Sequence, residues 1–443
     1  MVLFRTAVAP LAILAASSAS LVDALPSPVR LTGAVPSIHN ADGTLNEAAL
    51  QRNVAQTFAK LEARNADGQA AADVRTEVVS SSPDKRRLAK KCNAGTVKVP
   101  LDGSPAGGLG FSIAGAVGTP AQPATFIFDT GSYDMIVQST TKNGGLAFDS
   151  SKSSTYSSDE QVTQFDYITG SYKGKLATDT FTIGGVSVPD QAFAVIESKT
   201  ATEGVSGTLG LGLSTQSVMR KPNFFSNLVS AGKVASNQVG VYLSPLGGSG
   251  AEVTLGGNDT SRYTGKLQTL QNDMSIGRFM LTLSNAYFDG SFLPAGGAKA
   301  SVLIDSGSTQ SFLPRAFVDA FHNKIPGAVK PDDYSYNLNF LGQQYKVDRW
   351  IIPCTARHTF GAQFNMARPV ATMPHWEIPA EALILGPIDD EGKMCATSIY
   401  GVDIVAYGKT VGILGIPFLR GQYSVFDYGS TDSAPTISFG KLA

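Results

Sequence analysis

The sequence predicts an all-β protein with few short helices, built as two similar lobes. Three observations carry this. The apolar segments are short and interrupted, with 46 glycines and frequent Ser and Thr, the composition of many strands joined by turns. One unusual signature is written twice: residues 125–139 read TFIFDTGSYDMIVQS and residues 301–314 read SVLIDSGSTQSFLP. In each, a run of apolar residues ends in Asp, then Thr or Ser, Gly, Ser. A second echo, GTLGLGL at 207–213 and GILGIPF at 412–418, follows well downstream of each copy. Four fragments in alternating order point to duplication, each lobe built around one aspartate, Asp129 and Asp305, 176 positions apart.

The length of 443 residues exceeds one ordinary hydrophobic core and suits about two or three units. A net charge of −1 with 16% charged residues offers no electrostatic footing for nucleic acid or an anionic membrane surface, and neither partner is expected. The first residues, MVLFRTAVAPLAILAASSASLVDALP, combine an early Arg5, a short apolar stretch and small residues before Ala24. That is a signal-peptide pattern, assigned to 1–24. As a membrane anchor the stretch is too short and is broken by Pro10 and several serines. No later segment approaches ~20 apolar residues, and the ending ISFGKLA lacks the tail of a lipid-anchor signal. The expected destination is the exterior, with an acidic vacuole as the alternative.

Residues 25–91 have another character. The stretch LNEAALQRNVAQTFAKLEARNADG (45–68) reads as an amphipathic helix with Leu45, Ala49, Val54, Phe58 and Leu61 on one stripe. Thr44 or Asn46 would cap it and Gly68 end it. SSPDKRRLAKK (81–91) follows, exposed and dibasic. Such a run is often only a solvated linker. In an exported chain it reads instead as a processing site near 85–91 that ends a propeptide.

From residue 92 the pattern is short strands, assigned to a first lobe at 92–262 and a second at 263–443. Gly-Thr-Pro separates GFSIAGAVGTP from ATFIFDTG, and Gly184-Gly185 divides an alternating run into a hairpin. NFFSNLVSAG (223–232) and PRAFVDAFHNKI (314–325) are the helical pieces, the second entered through Pro314. The histidines at 39, 322, 358 and 375 are scattered and no Cys/His cluster occurs, so no metal or cofactor is expected. Cys92, Cys354 and Cys395 allow three pairings. Closing the 354–395 span would stabilise by roughly 4 kcal/mol in the loop-entropy model. Asn258-Asp259-Thr260 is a candidate glycosylation sequon in a turn-rich stretch.

The aspartates explain each other. A lone carboxylate at the end of a buried strand is costly because desolvation penalises its charge. Two facing carboxyls can instead share one proton over a wide acidic range. The ionised member takes a proton from a water held between them, and the protonated member donates to the oxygen of an amide. Gly131 and Gly307 permit tight turns, Thr130 and Ser306 offer hydroxyls to bridge the two loops, and Ser132 and Ser308 can donate to the outer carboxylate oxygens.

On these motifs, from GFSIAGAVGTPAQPATFIFDTGS to GILGIPFLRGQYSVFDYGS, nearly everything after residue 95 resembles the pepsin family of aspartic endopeptidases, in a secreted fungal-like form. The resemblance implies a bilobal fold with a central cleft and a flap hairpin, Asp129 and Asp305 as the catalytic pair, polypeptide substrates, and a monomer. It places the flap at Tyr167, Ile168, Thr169 and Gly170, and counts Ile127 and Thr208 among the substrate-binding residues. It pairs Cys354 with Cys395 and makes 25–91 an inhibitory prosegment whose basic side chain, Lys85 or Lys90, plugs the cleft.

The chain departs from the family pattern at several places. Ile136 replaces a tryptophan that hydrogen-bonds the flap tyrosine, and Ile168 replaces a flap glycine. Ser206 and Thr208 make the first-lobe pocket less apolar. Thr169 stands where some fungal relatives carry an Asp that accepts a basic side chain, so that preference is not expected. A pepsin-fold protein without activity, serving as inhibitor or receptor, is the alternative; a β-rich wall protein is a further one, and it gives the prosegment no purpose.

Overall fold

The computed structural model describes residue 40, residues 44–51, and residues 95–443 except 104–109, 141–147, 168–169, 198–204, 247–248, 341–342 and 367–373. The expected signal peptide, the dibasic stretch and Cys92 lie outside the described residues. The chain is mostly strand with few short helices, in agreement with the predicted class.

Strand Gln122–Asp129 shows how the sequence dictates the layers. Ala124, Phe126 and Phe128 alternate onto the core face, while Thr125 and Ile127 stay half-buried on the other. Phe126 meets Phe181 edge to face at 5.3 Å, and Phe181 meets Phe224 at 4.9 Å. Each such buried ring contributes about 1.5–3 kcal/mol. On one side the strand pairs antiparallel with Phe111–Val117, and on the other parallel with Gly207–Gly210. The second half repeats the parallel step, Ala300–Ile304 beside Lys409–Leu414 with Ile304 opposite Leu414. The duplicated Gly-x-Leu-Gly is therefore the parallel neighbour of the aspartate strand in each half. Gly210 and Gly415 hold matching places, where an added Cβ would fall 2.4 Å from Tyr133 C and 2.3 Å from Gln310 O.

A 13-stranded sheet carries the first half, and Phe111–Val117 also pairs with Gly170–Ile183, folding that part back on itself. Strands Tyr423–Asp427 and Thr436–Leu442, from the end of the chain, join this same sheet beside Gln238–Tyr242 and Tyr263–Gln271. The two halves are thus stitched by a shared sheet, and a 9-stranded sheet forms the second lobe. Ser157–Tyr167 and Gly170–Ile183 form the hairpin expected as the flap, paired as far as Tyr167 opposite Gly170. Its tip residues Ile168 and Thr169, and the side chain of Tyr167, lie outside the described residues.

Helix Phe224–Ser230 starts where Asn223 accepts from Ser226 N–H at 2.9 Å. Helix Arg315–His322 follows Pro314 and buries Phe317, Val318, Phe321 and His322. Upstream, Asn46 accepts from Ala49 N–H at 3.0 Å and caps a helix described over 47–51; the rest of the predicted helix lies outside the described residues. Cys354, just after strand Ile351–Pro353, is bonded to Cys395 on the adjacent strand Met394–Thr397, their Cα atoms 4.9 Å apart. Among the described residues, no helix is long and apolar enough to cross a membrane.

His322 is fully buried, stacked on Trp350 with centroids 5.0 Å apart. Its Nδ1 lies 2.8 Å from Val318 O and its Nε2 3.1 Å from Thr397 Oγ1, so Nδ1 donates and Nε2 accepts, the pattern of a neutral ring. Burial pushes its pKa down to about 3. Below the unfolded value of about 6.5 the unfolded chain takes a proton that the folded one refuses, so stability falls as pH drops. At about 1.4 kcal/mol per pKa unit, His322 should cost the fold about 3 kcal/mol between pH 7 and 4. Urea unfolding at both values should show that difference shrink by this amount in His322→Gln; an unchanged difference would contradict it.

Candidate active site

Both signature aspartates stand at the ends of buried strands, Asp129 2% and Asp305 0% exposed. The local turn supplies each with donors. Gly131 N–H donates to Asp129 Oδ1 at 2.9 Å, and Ser132 Oγ to Oδ2 at 2.6 Å. Gly307 N–H donates to Asp305 Oδ1 at 2.8 Å. Such bonds favour a carboxylate's charged form and offset its desolvation.

The two loops then grip one another. Thr130 N–H donates to Ser306 Oγ and Ser306 N–H to Thr130 Oγ1, both at 3.0 Å. Thr130 Oγ1 donates to Ile304 O at 2.9 Å, and Ser306 Oγ to Phe128 O at 3.0 Å. Each hydroxyl takes one proton from the opposite loop and gives one to the opposite strand. All four bonds are buried. Gly131 shows how close the loops come: a Cβ there would fall 2.4 Å from Asp305 Oδ1. The Asp305 carboxylate therefore rests against the backbone of the Asp129 loop.

Ser308, expected to mirror Ser132, gives its hydroxyl proton to Gln310 O at 2.8 Å. Ile127 and Thr208 are register neighbours on the parallel pair, both half-buried. Ile136 sits opposite Thr208 and Ala194 and packs with Leu176, Ile196 and Met219, so an aliphatic cluster fills the place of the family's indole. Ser206 is buried, its Oγ accepting from Thr125 N–H at 3.1 Å; it ties strands together rather than facing a pocket. Asn258 is half-buried and accepts from Tyr263 Oη at 3.0 Å.

Three residues that the sequence reading passed over also shape the site. Gln216 Nε2 and Arg278 Nη1 both donate to Gly131 O, at 2.9 and 3.2 Å. Arg278 is 3% exposed and brings a buried positive charge to the loop after Asp129. Asp134 accepts from Ser217 Oγ at 2.8 Å and Val218 N–H at 2.6 Å, bracing the loop after Asp129. Burial outweighs those bonds and raises its pKa to about 6. The cue for Asp134 and Arg278 was the one used for Asp129, a charge set in an apolar run.

Two Asp-(Thr/Ser)-Gly loops, each beside its parallel Gly-x-Leu-Gly strand and locked reciprocally at the junction of two β halves, define the frame of a bilobal, pepsin-like aspartic protease. The eukaryotic aspartyl protease family matches residues 112–441, and the chain belongs to it. It is 26% identical to major aspartyl peptidase 1 of Cryptococcus neoformans, over 83% of this chain and 75% of that protein. It is 30% identical to rhizopuspepsin-1 of Rhizopus niveus over 74% and 77%, and 28% identical to pepsin A of Sus scrofa over 70% and 77%.

Two outcomes are expected. A methyl at Gly131 must displace Asp305, so peptide cleavage by Gly131→Ala should fall by about 100-fold or more; an unchanged rate would contradict the loop contact. Asp134 binds a proton more readily folded than unfolded, so its contribution is present in acid and lost as pH rises through about 6. Asp134→Asn should therefore gain about 2–3 kcal/mol at pH 7.5 and nothing at pH 3.5, read from urea unfolding.

Proposed function

We propose that the chain is a secreted aspartic endopeptidase, made with a signal peptide (1–24) and a propeptide (25–91) cut near 85–91, and active at acidic pH. The observation that carries this is the reciprocal Thr130–Ser306 bridge, which sets two buried aspartate loops against each other. Of two carboxyls so held, one ionises and the other keeps its proton. The ionised one takes a proton from a water between them as its oxygen attacks the peptide carbonyl carbon. The other gives its proton to the carbonyl oxygen, and a proton then passes to the leaving nitrogen as the C–N bond breaks. Thr130, Gly131, Ser132, Ser306 and Gly307 fix the geometry. Tyr167 to Gly170 cover the substrate, and Ile127 and Thr208 line the pocket of an extended peptide cut between largely apolar residues.

The Cys354–Cys395 bond suits an exported chain, and Asn258 would carry a glycan. The relatives named above are peptidases by name, and the shared motifs support the same chemistry here. The test is cleavage of an unfolded protein across about pH 2–7 by matured material. Acid-optimal cleavage, abolished by Asp129→Asn and by a statine-type inhibitor, is expected. A folded, processed protein that cuts nothing would leave a pepsin-fold binding protein in its place.

A further inference from the structure

Among the described residues, the upstream segment meets the second lobe through Glu47 and Leu50. Glu47 and Arg349 form a two-pronged pair, Nη2 to Oε2 at 2.9 Å and Nη1 to Oε1. The partners are unequal: the Arg349 side chain is 2% exposed and that of Glu47 42%. The guanidinium lies 3.6 Å over the ring of Tyr334, with Tyr400 on a further side at 5.7 Å. Arg349 is thus a fixed host in the lobe, and Glu47 a guest from the segment.

One turn on, Leu50 is buried in a cluster that includes Leu303, Phe312, Tyr400 and Ile413. Leu303 belongs to strand Ala300–Ile304, which leads directly into Asp305. The segment therefore packs against the strand that ends at Asp305. A recess of about 470 Å³ surrounds the pair, walled on one side by the segment itself and on the other by Tyr334, Ser335, Tyr336 and Arg349. Arg349 Nε, Tyr336 Oη and Ser335 Oγ are buried there without hydrogen-bond partners, so polar groups remain to be satisfied by whatever fills it. Asp333 and Asp390 stand on its exposed rim, where water and salt screen them.

We propose that the Arg349 recess is a carboxylate-reading subsite of the mature cleft, which takes an acidic side chain of the substrate peptide once residues 44–51 leave. The proposal rests on the reading of 25–91 as a removed propeptide. A planar, desolvated guanidinium accepts a carboxylate in two parallel bonds, and Glu47 shows the fit. A neutral amide of the same shape, Gln, can make only one such acceptor bond and carries no charge.

The experiment uses processed protein and peptides that differ only by Glu or Gln at successive positions on both sides of the cut. At one position Glu should raise kcat/KM about tenfold over Gln. Arg349→Gln should lose that preference and Arg349→Lys keep part of it. No acidic preference at any position, or one that survives Arg349→Gln, would overturn the proposal. Should the variants fail to fold, wild-type protein titrated with a labelled peptide of residues 40–56 decides: it should bind about tenfold more tightly than its Glu47→Gln form. Equal binding, or a 40–51 fragment retained in the recess after processing, would overturn the proposal. Glu-dependent binding without cleavage would keep the recess and sink the peptidase reading; cleavage without Glu dependence would do the reverse.

Discussion

The crossed hydrogen bonds of Thr130 and Ser306 are the constraint on which the rest depends. Two aspartates can be buried only if each relieves the other's charge problem, and that requires loops from distant parts of the chain to meet within a fraction of an ångström. Four bonds of 2.9–3.0 Å achieve this, each loop donating to the strand that precedes the other aspartate. Because the hydroxyls are fully buried, losing either would strand backbone groups of the opposite loop without water to replace it. The parallel strands after each aspartate and the glycines at 131, 210 and 415 follow as requirements of that approach.

Much of this was legible in the sequence because it depends on local pattern written twice. The Asp-(Thr/Ser)-Gly-Ser signature, the Gly-x-Leu-Gly echo and the Gly184-Gly185 turn are short-range signals with direct backbone consequences. The shared sheet was not legible: strands 423–427 and 436–442 pair with first-half strands that lie far away in sequence. Identical local sequence does not fix a hydroxyl rotor: Ser132 Oγ donates to Asp129, and Ser308 Oγ to Gln310 O. Arg278, Asp134 and Arg349 were passed over because their partners come from remote segments, Gly131, Ser217 and Glu47.

Two buried ionisable groups shape the pH response in opposite senses. Asp134, raised to about 6, stabilises the first lobe as pH falls toward the ordinary carboxylate range. His322, lowered to about 3, destabilises the second lobe over a range that starts near an ordinary histidine pKa. Between about pH 6 and 4 the folded chain holds one proton more at Asp134 and one fewer at His322 than the unfolded chain. The slopes cancel, and these two groups leave stability flat where the proposed dyad would work. Above this range only the Asp134 loss remains, and it falls on the loop that follows Asp129.

Three arginines, Arg278, Arg349 and Arg420, are buried on the second lobe among the described residues, at 3%, 2% and 8% exposure, in a chain whose net charge is near zero. Burying a guanidinium costs more than burying a leucine and persists where it holds an anion or a carbonyl in place. Arg278 meets that condition by its bond to Gly131 O, in the loop after Asp129, and Arg420 by its bond to Ser244 O. Among the described residues Arg349 meets it through Glu47, a residue of the segment proposed to depart. A site so built is half of a pair. Its complement is supplied first by the chain's own upstream helix and then by the substrate, so one arginine would both seat the propeptide and read what replaces it.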